Sequence, residues 1–191
     1  MKINIIEYFI ETVKRFNDKV AVVDGNTNIS FKNLDLRSRQ LAKVIIDECN
    51  CKNQPLAMFL PKCIDSVITN IAITYSGNAY MNLDVKNPIE RLGNIFTLVE
   101  PCAVITNSKY KQFIDPIAMS NGVVVINIDE LDDDDIAPTH EELLTRISDI
   151  IDTDPYCIIN TSGSTGTPKG VVLNHRSFID CTTWALENID I

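Results

Sequence analysis

Apolar residues recur along this chain in two alternating rhythms. Ile5, Ile6, Phe9, Ile10, Val13 and Phe16 fall at helical spacing, which predicts an amphipathic helix over Ile5 to Phe16. The run Val20-Ala21-Val22-Val23 follows, is broken by Asp24-Gly25-Asn26, and resumes as Ile29-Ser30-Phe31. Two short apolar runs about such a turn predict a β-hairpin. Asn33 to Glu48 returns to helical spacing, with Leu34, Leu41, Ala42 and Ile45 on its buried side.

From Pro55 onward the rhythms alternate strictly. Leu56 to Leu60, Ala79 to Leu83, Cys102 to Thr106 and Val123 to Ile126 are short apolar runs suited to buried strands. Helical spacing lies between them at Ile64 to Tyr75, Pro88 to Val99 and Lys109 to Ile114. Pro88 is tolerated at a first helical position, where its missing N–H has no partner to lose. Glu141 to Ile151 reads as a further helix, and Tyr156 to Asn160 as a strand. Continuous apolar strands separated by amphipathic helices define an α/β fold with a mostly parallel sheet flanked by helices on both faces.

The segment Asp129 to Asp135 interrupts this rhythm with six acidic residues around Leu131. Successive aspartates repel one another, so a solvated surface loop is expected there and no metal site. The 191 residues carry a formal net charge of -9, and no basic run exceeds two residues. Recognition of a nucleic-acid backbone or a membrane surface needs concentrated Lys and Arg, so neither partner is expected. Six cysteines show no paired CxxC spacing. Cys49 and Cys51 are close but have no His nearby, so zinc is not expected. With no signal-peptide core and no ~18-residue apolar span, a cytoplasmic location is expected.

An acidic protein still binds an anion through a local cradle of backbone amides and one or two cations. The segment Thr161-Ser162-Gly163-Ser164-Thr165-Gly166-Thr167-Pro168-Lys169-Gly170 has that make-up, between a strand and a second apolar run, Val171-Val172-Leu173. Its glycines let amides approach an anion closely, its hydroxyls add donors, and Lys169 supplies a compact positive charge. A stretch rich in Gly, Ser and Thr is often only a flexible connection. Ordered glycine spacing and a Pro-Lys-Gly between two strands favour polyphosphate binding instead. A Walker A motif is excluded: Pro168 precedes the lysine and Gly170 follows it, where that motif needs a hydroxyl for magnesium.

At Thr161 to Val171 the sequence resembles the adenylate-forming superfamily: acyl-CoA synthetases, nonribosomal peptide synthetase adenylation domains and luciferases. The family's loop has the form Thr-Ser-Gly-Ser/Thr-Thr-Gly-x-Pro-Lys-Gly-Val. Ile29 to Leu34, Tyr75 to Asp84 with Pro88 and Arg91-Leu92, and His175 to Phe178 resemble other family segments. The second of these is similar to the amino-acid-activating branch, but departs from it at Asn78 and Asn82, where glycine and proline are usual. His175 reads either as a neighbour of the site or as a structural residue at a helix start.

The resemblance implies the N-terminal subdomain of the adenylate-forming fold over residues 1–191, with the phosphate loop at 161–170. It implies ATP as cosubstrate, Mg2+ in the complete enzyme, and nucleotide contacts from Thr161, Ser162, Gly163, Ser164, Thr165, Gly166, Thr167, Lys169 and Gly170, with Lys169 catalytic. The reaction implied joins a carboxylic or amino acid to AMP and releases pyrophosphate, with a phosphopantetheine carrier protein or coenzyme A as acceptor. Only the first third or so of a typical member is matched. The adenine, ribose and acid-pocket segments and the small C-terminal domain are absent, so this chain alone is expected to be inactive. The alternative left open is an inactive nucleotide-binding or interaction module of the same fold.

Overall fold

The computed structural model describes residues 2–132, 136–162 and 168–189, except for the side chains of Ser162 and Pro168. Asn4 opens the first helix, α1 (Ile5–Phe16): its side chain accepts from the Ile6 N–H, and the Glu7 carboxylate accepts from the Asn4 N–H. This reciprocal cap satisfies two donors that a helix start leaves free. The predicted hairpin is present as β1 (Val20–Asp24) and β2 (Thr27–Ser30), paired antiparallel. Phe31 was expected to extend the second strand but begins α2 (Phe31–Cys49). Ser30 is the reason: its hydroxyl accepts from the Asn33 N–H at 3.3 Å and turns the chain into a helix.

Five strands of a six-stranded sheet are parallel: β3 (Pro55–Met58), β4 (Ala79–Asn82), β5 (Ala103–Thr106), β6 (Val124–Asn127) and β7 (Pro155–Ser162). The sixth, β8 (Pro168–Asn174), pairs antiparallel with β7 at one edge, and the order is β6-β5-β3-β4-β7-β8. Helices α3 (Ile64–Tyr75), α4 (Ile89–Val99), α5 (Ser108–Asn121), α6 (His140–Arg146) and α7 (His175–Asn188), with a 3-10 turn at Ile128–Glu130, complete the described elements.

Strand alternation divides the core in two. Leu56, Met58, Leu60, Ala103 and Ile105 pack with residues of α1, α2 and α3. Ala57, Phe59, Met81, Val104 and Ile158 pack on the other face with Leu92, Ile95 and Phe96 of α4 and Ile114, Ile117 and Ala118 of α5. The sheet is thus flanked by helices on both faces, as its unbroken apolar runs predict.

Two helix lengths differ from expectation. Pro116 argues for a stop near Ile114, yet α5 continues to Asn121 because Ile117 and Ala118 gain burial on the same face. Proline forfeits only one backbone bond there. It ends at Gly122, whose φ of 66 suits a residue without a Cβ. By contrast α6 stops at Arg146, well short of Ile151. Its guanidinium donates to the carbonyls of Ser76 (3.1 Å) and Cys51 (2.8 Å), and the chain then turns to bury Ile147 and Ile150.

A buried polar knot fastens α6 to the helical layer. The Asp35 carboxylate accepts from the Tyr75 hydroxyl (2.6 Å) and from Nε of Arg39 (2.9 Å), and His140 Nε2 lies 2.9 Å from it. Arg39 also donates to the Pro138 carbonyl, three residues beyond the acidic segment. In that segment Asp129 accepts from the Ser108 N–H and Glu130 from the Asn127 side chain. Asp133, Asp134 and Asp135 lie outside the described residues.

Candidate functional site

The predicted phosphate segment includes the end of β7 and the start of β8. The ladder runs on through Asn160↔Gly170, Thr161↔Lys169 and Ser162↔Pro168. The loop is therefore narrower than the ten-residue segment 161–170: Thr161, Ser162, Pro168, Lys169 and Gly170 belong to strands. Pro168 is accommodated as the first residue of an edge strand, where its missing N–H costs no ladder bond. Gly163, Ser164, Thr165, Gly166 and Thr167 lie outside the described residues.

Alternation assigns these residues to opposite faces. Thr161 and Lys169 share a face with Ile159 and Val171. The Thr161 hydroxyl donates to the Lys169 carbonyl at 3.4 Å, a long bond within the ladder. Lys169 is exposed and makes no ion pair with any described residue. Gly170 and Asn160 face the other way. A Cβ on Gly170 would meet Ile158 Cγ2 on the neighbouring strand at 3.3 Å, so this glycine leaves room for that buried side chain.

Sequence reasoning missed Asn160. Both polar atoms of its side chain are buried without a hydrogen-bond partner among the described residues, one step before Thr161. Nε of Arg91, near the start of α4, is likewise buried and unpartnered. A polar residue where strand alternation calls for an apolar one, next to Ile158 on the inner face, was the available signal.

The hairpin stands beside a cleft of about 600 Å³ at the carboxyl ends of β3 and β4, lined by Met58, Leu60, Lys62, Asn82, Leu83 and Lys86 among others. Because β4 pairs directly with β7, cleft and loop occupy the same end of the sheet. Ligands of open α/β sheets bind at such carboxyl ends.

His175 belongs elsewhere. It follows the last residue of β8, at the far end of that strand from the loop. Only 3% exposed, it accepts the Ile5 N–H on Nδ1 at 3.3 Å and lies 5.2 Å from the Tyr156 ring, which also packs on Tyr80 and Phe178. Burial lowers its pKa to about 4, against the opposing pull of Asp154 and Asp152. The imidazole is thus a neutral acceptor that ties α1 to α7, in agreement with the structural reading.

The AMP-binding enzyme family model matches residues 9–190, and the chain belongs to that family. It is 29% identical over 173 residues to tyrocidine synthase 1 of Brevibacillus parabrevis, covering 91% of this chain and 15% of that protein. It is 27% identical over 186 residues to the D-alanine–D-alanyl carrier protein ligase of Streptococcus pyogenes serotype M3, covering 97% of this chain and 34% of the ligase. The chain thus spans about a third of one of these relatives and 15% of the other.

The fold matches the N-terminal subdomain of Klebsiella oxytoca NpsA, solved with 3-hydroxybenzoyl-AMSN, at a TM-score of 0.72 and 22% identity, over 92% of this chain and 42% of that one. It also matches the nonribosomal peptide synthetase FmoA3 bound to α-methyl-L-serine-AMP, at a TM-score of 0.81 and 19% identity, over 97% and 20% of the two chains. Among the described residues no helix is long and apolar enough to cross a membrane.

Proposed function

We propose that this chain provides the phosphate-gripping part of an ATP-dependent, carboxylate-activating enzyme of the kind that loads amino acids for nonribosomal peptide synthesis. The overall reaction is acid plus ATP to acyl-AMP plus pyrophosphate. The observation that carries this reading is the β7–β8 hairpin: it holds Lys169 as an exposed cation, unpaired among the described residues, beside Thr161, within a segment whose sequence matches the adenylating signature.

The residues present fit a polyphosphate. Lys169 offers a charge not neutralised by any described carboxylate, and Thr161 to Gly170 offer backbone amides and hydroxyls. Asn160 holds an unspent donor and acceptor beneath the loop, suited to fixing its backbone. When ATP is bound, the acid attacks its α-phosphorus and pyrophosphate departs. The chain's contribution to that step is to orient the phosphates and to stabilise the charge that gathers on the leaving group. Mg2+ is expected to accompany the nucleotide in the complete enzyme. The carrier-protein-using relatives favour a phosphopantetheine carrier over coenzyme A as acceptor.

The test is Lys169→Ala in the complete enzyme, assayed by acid-dependent exchange of pyrophosphate into ATP. The rate should fall by about 10²-fold, the scale for removing one preorganised electrostatic donor. Lys169→Arg should recover part of it. An unchanged rate in Lys169→Ala would remove this lysine from the mechanism. The 191-residue chain alone should bind polyphosphate weakly and give no exchange.

A further inference from the structure

The cleft at the carboxyl ends of β3 and β4 joins an apolar floor to a cationic rim. Met58, Leu60 and Leu83 form the floor, all three buried. Lys62, on the connection after β3, and Lys86, on the connection after β4, stand on the rim. Both lysines are exposed, and neither makes an ion pair among the described residues. Asp84, a carboxylate on the lining, is engaged in its own turn, where Oδ1 accepts the Lys86 N–H at 2.9 Å. The first turn of α3 also opens on the cleft through Ser66, and a helix N-terminus favours negative charge. A second cleft, of about 490 Å³ beside the β1–β2 hairpin, differs: its cation Arg37 already faces Asp65 at 3.4 Å.

Unpaired cations above an apolar floor suit an anion carried on an uncharged, partly apolar body, not a bare polyphosphate. On the carboxylate-activating reading, which this assignment presupposes, we propose that the cleft seats a phosphopantetheine arm. Lys62 and Lys86 hold its phosphate, the floor carries its methyl-bearing body, and its thiol end is directed toward the β7–β8 hairpin.

The order of the strands sets this direction. β3 and β7 lie on either side of β4, two strand spacings or about 10 Å apart. A phosphate anchored at Lys62, beyond β3, therefore leaves the uncharged part of the arm to cross the end of β4 toward the hairpin. Asn82, the last residue of β4, stands exposed on that path and lines the cleft. Its side-chain amide can pair with an amide of the arm. This is one of the two positions where the chain departs from the pattern of the amino-acid-activating branch, and the proline usual there has no donor to offer. The lysine contacts are charge-assisted and so about twice as strong as the neutral one at Asn82. Most of the affinity should therefore reside in the phosphate.

The isotope-labelled 191-residue chain is titrated with phosphopantetheine, pantetheine, coenzyme A and tripolyphosphate, and backbone amide shifts are followed by NMR. Phosphopantetheine should shift the amides of Lys62, Leu83 and Lys86. Pantetheine, which lacks the phosphate, should bind about tenfold more weakly, the scale of one charge-assisted contact. Lys62→Gln and Lys86→Gln, both at exposed positions, should each weaken phosphopantetheine by about tenfold and leave pantetheine unchanged. Coenzyme A bound as tightly as phosphopantetheine would make the free coenzyme the source of the arm; binding about tenfold weaker would make a carrier protein the source. Equal affinity for phosphopantetheine and pantetheine, or lysine variants that bind as the native chain does, would overturn the proposal. So would tripolyphosphate that occupies Lys62 and Lys86 as tightly as phosphopantetheine does, since the cleft would then be an unselective anion site. Shifts at Lys169 on adding tripolyphosphate separate the two readings. Their presence with a cleft silent to phosphopantetheine overturns this assignment alone, whereas their absence removes the phosphate-gripping reading and this assignment with it.

Discussion

Ile105 and Ile159 are the same residue type in the same sheet, and they live in different worlds. Ile105 on β5 is 0% exposed, beneath the helical layer of α1 to α3, whereas Ile159 on β7 is 48% exposed. The contrast extends to whole elements. All four residues of β5 are buried, while Val171 and Val172 on β8, and Trp184 and Leu186 on α7, stand largely open. The centre of this molecule is held by packing on two faces. The hairpin that carries the phosphate loop is held mainly by its backbone ladder and by Ile158 and Gly170 against α4. The element to which we assign the chemistry is thus drawn from the less packed part of the fold, where local opening is easiest.

The comparison breaks most sharply at the polar knot on the packed side. Asp35→Ala removes the shared acceptor of Tyr75, Arg39 and His140 and should cost about 3–5 kcal/mol, the scale for stranding buried partners. Urea denaturation followed by circular dichroism measures it. A cost below about 1 kcal/mol would show the knot to be dispensable. Ile105→Ala comes next, at about 2–5 kcal/mol, from lost burial and the cavity left behind.

A smaller effect, and a pH-dependent one, is expected from His175. Its folded pKa of about 4 lies below the ~6.5 of an unfolded histidine, so the unfolded chain binds the proton more readily. The stability it contributes is complete above about pH 6.5 and is lost as the pH falls toward 4. Protonation also removes the Nδ1 acceptor of the Ile5 N–H. The stability difference between pH 7 and pH 4.5 should therefore be larger in the native chain than in His175→Gln. Equal differences in the two proteins would show that the histidine titrates freely. The smallest effect belongs to Ile159→Ala, which should lie within about 0.5 kcal/mol of the native chain in the same urea experiment. A cost comparable to that of Ile105→Ala would erase the distinction between the two regions.

Much of this was legible in the chain because it depends on neighbours. The helix over Ile64 to Tyr75 and the turn at Asp24-Gly25-Asn26 follow from periodicity and turn chemistry alone. The family was legible for a similar reason, since the residues of its signature, Thr161 to Val171, are contiguous. What escaped depends on distant partners. Asp35 reads as one more polar residue on a helix until Tyr75 and His140 arrive beside it. The persistence of α5 past Pro116 reflects the gain from burying Ile117 and Ala118, which a local rule about proline does not contain. Asn160 was visible but overlooked, a polar residue at the close of an apolar run.

The antiparallel partnership of β7 and β8 sets an order of events during folding. Those two strands are joined by a short connection, and a hairpin closes in about 1–10 μs. Seating that hairpin is another matter, because Tyr80 must find Cys157 and Met81 must find Ile158 across a long stretch of intervening chain. Such non-local pairings are the slow part of folding. The hairpin can therefore close early and still wait for β7 to dock on β4, so substitutions at that seam should delay completion of the sheet without changing the hairpin itself.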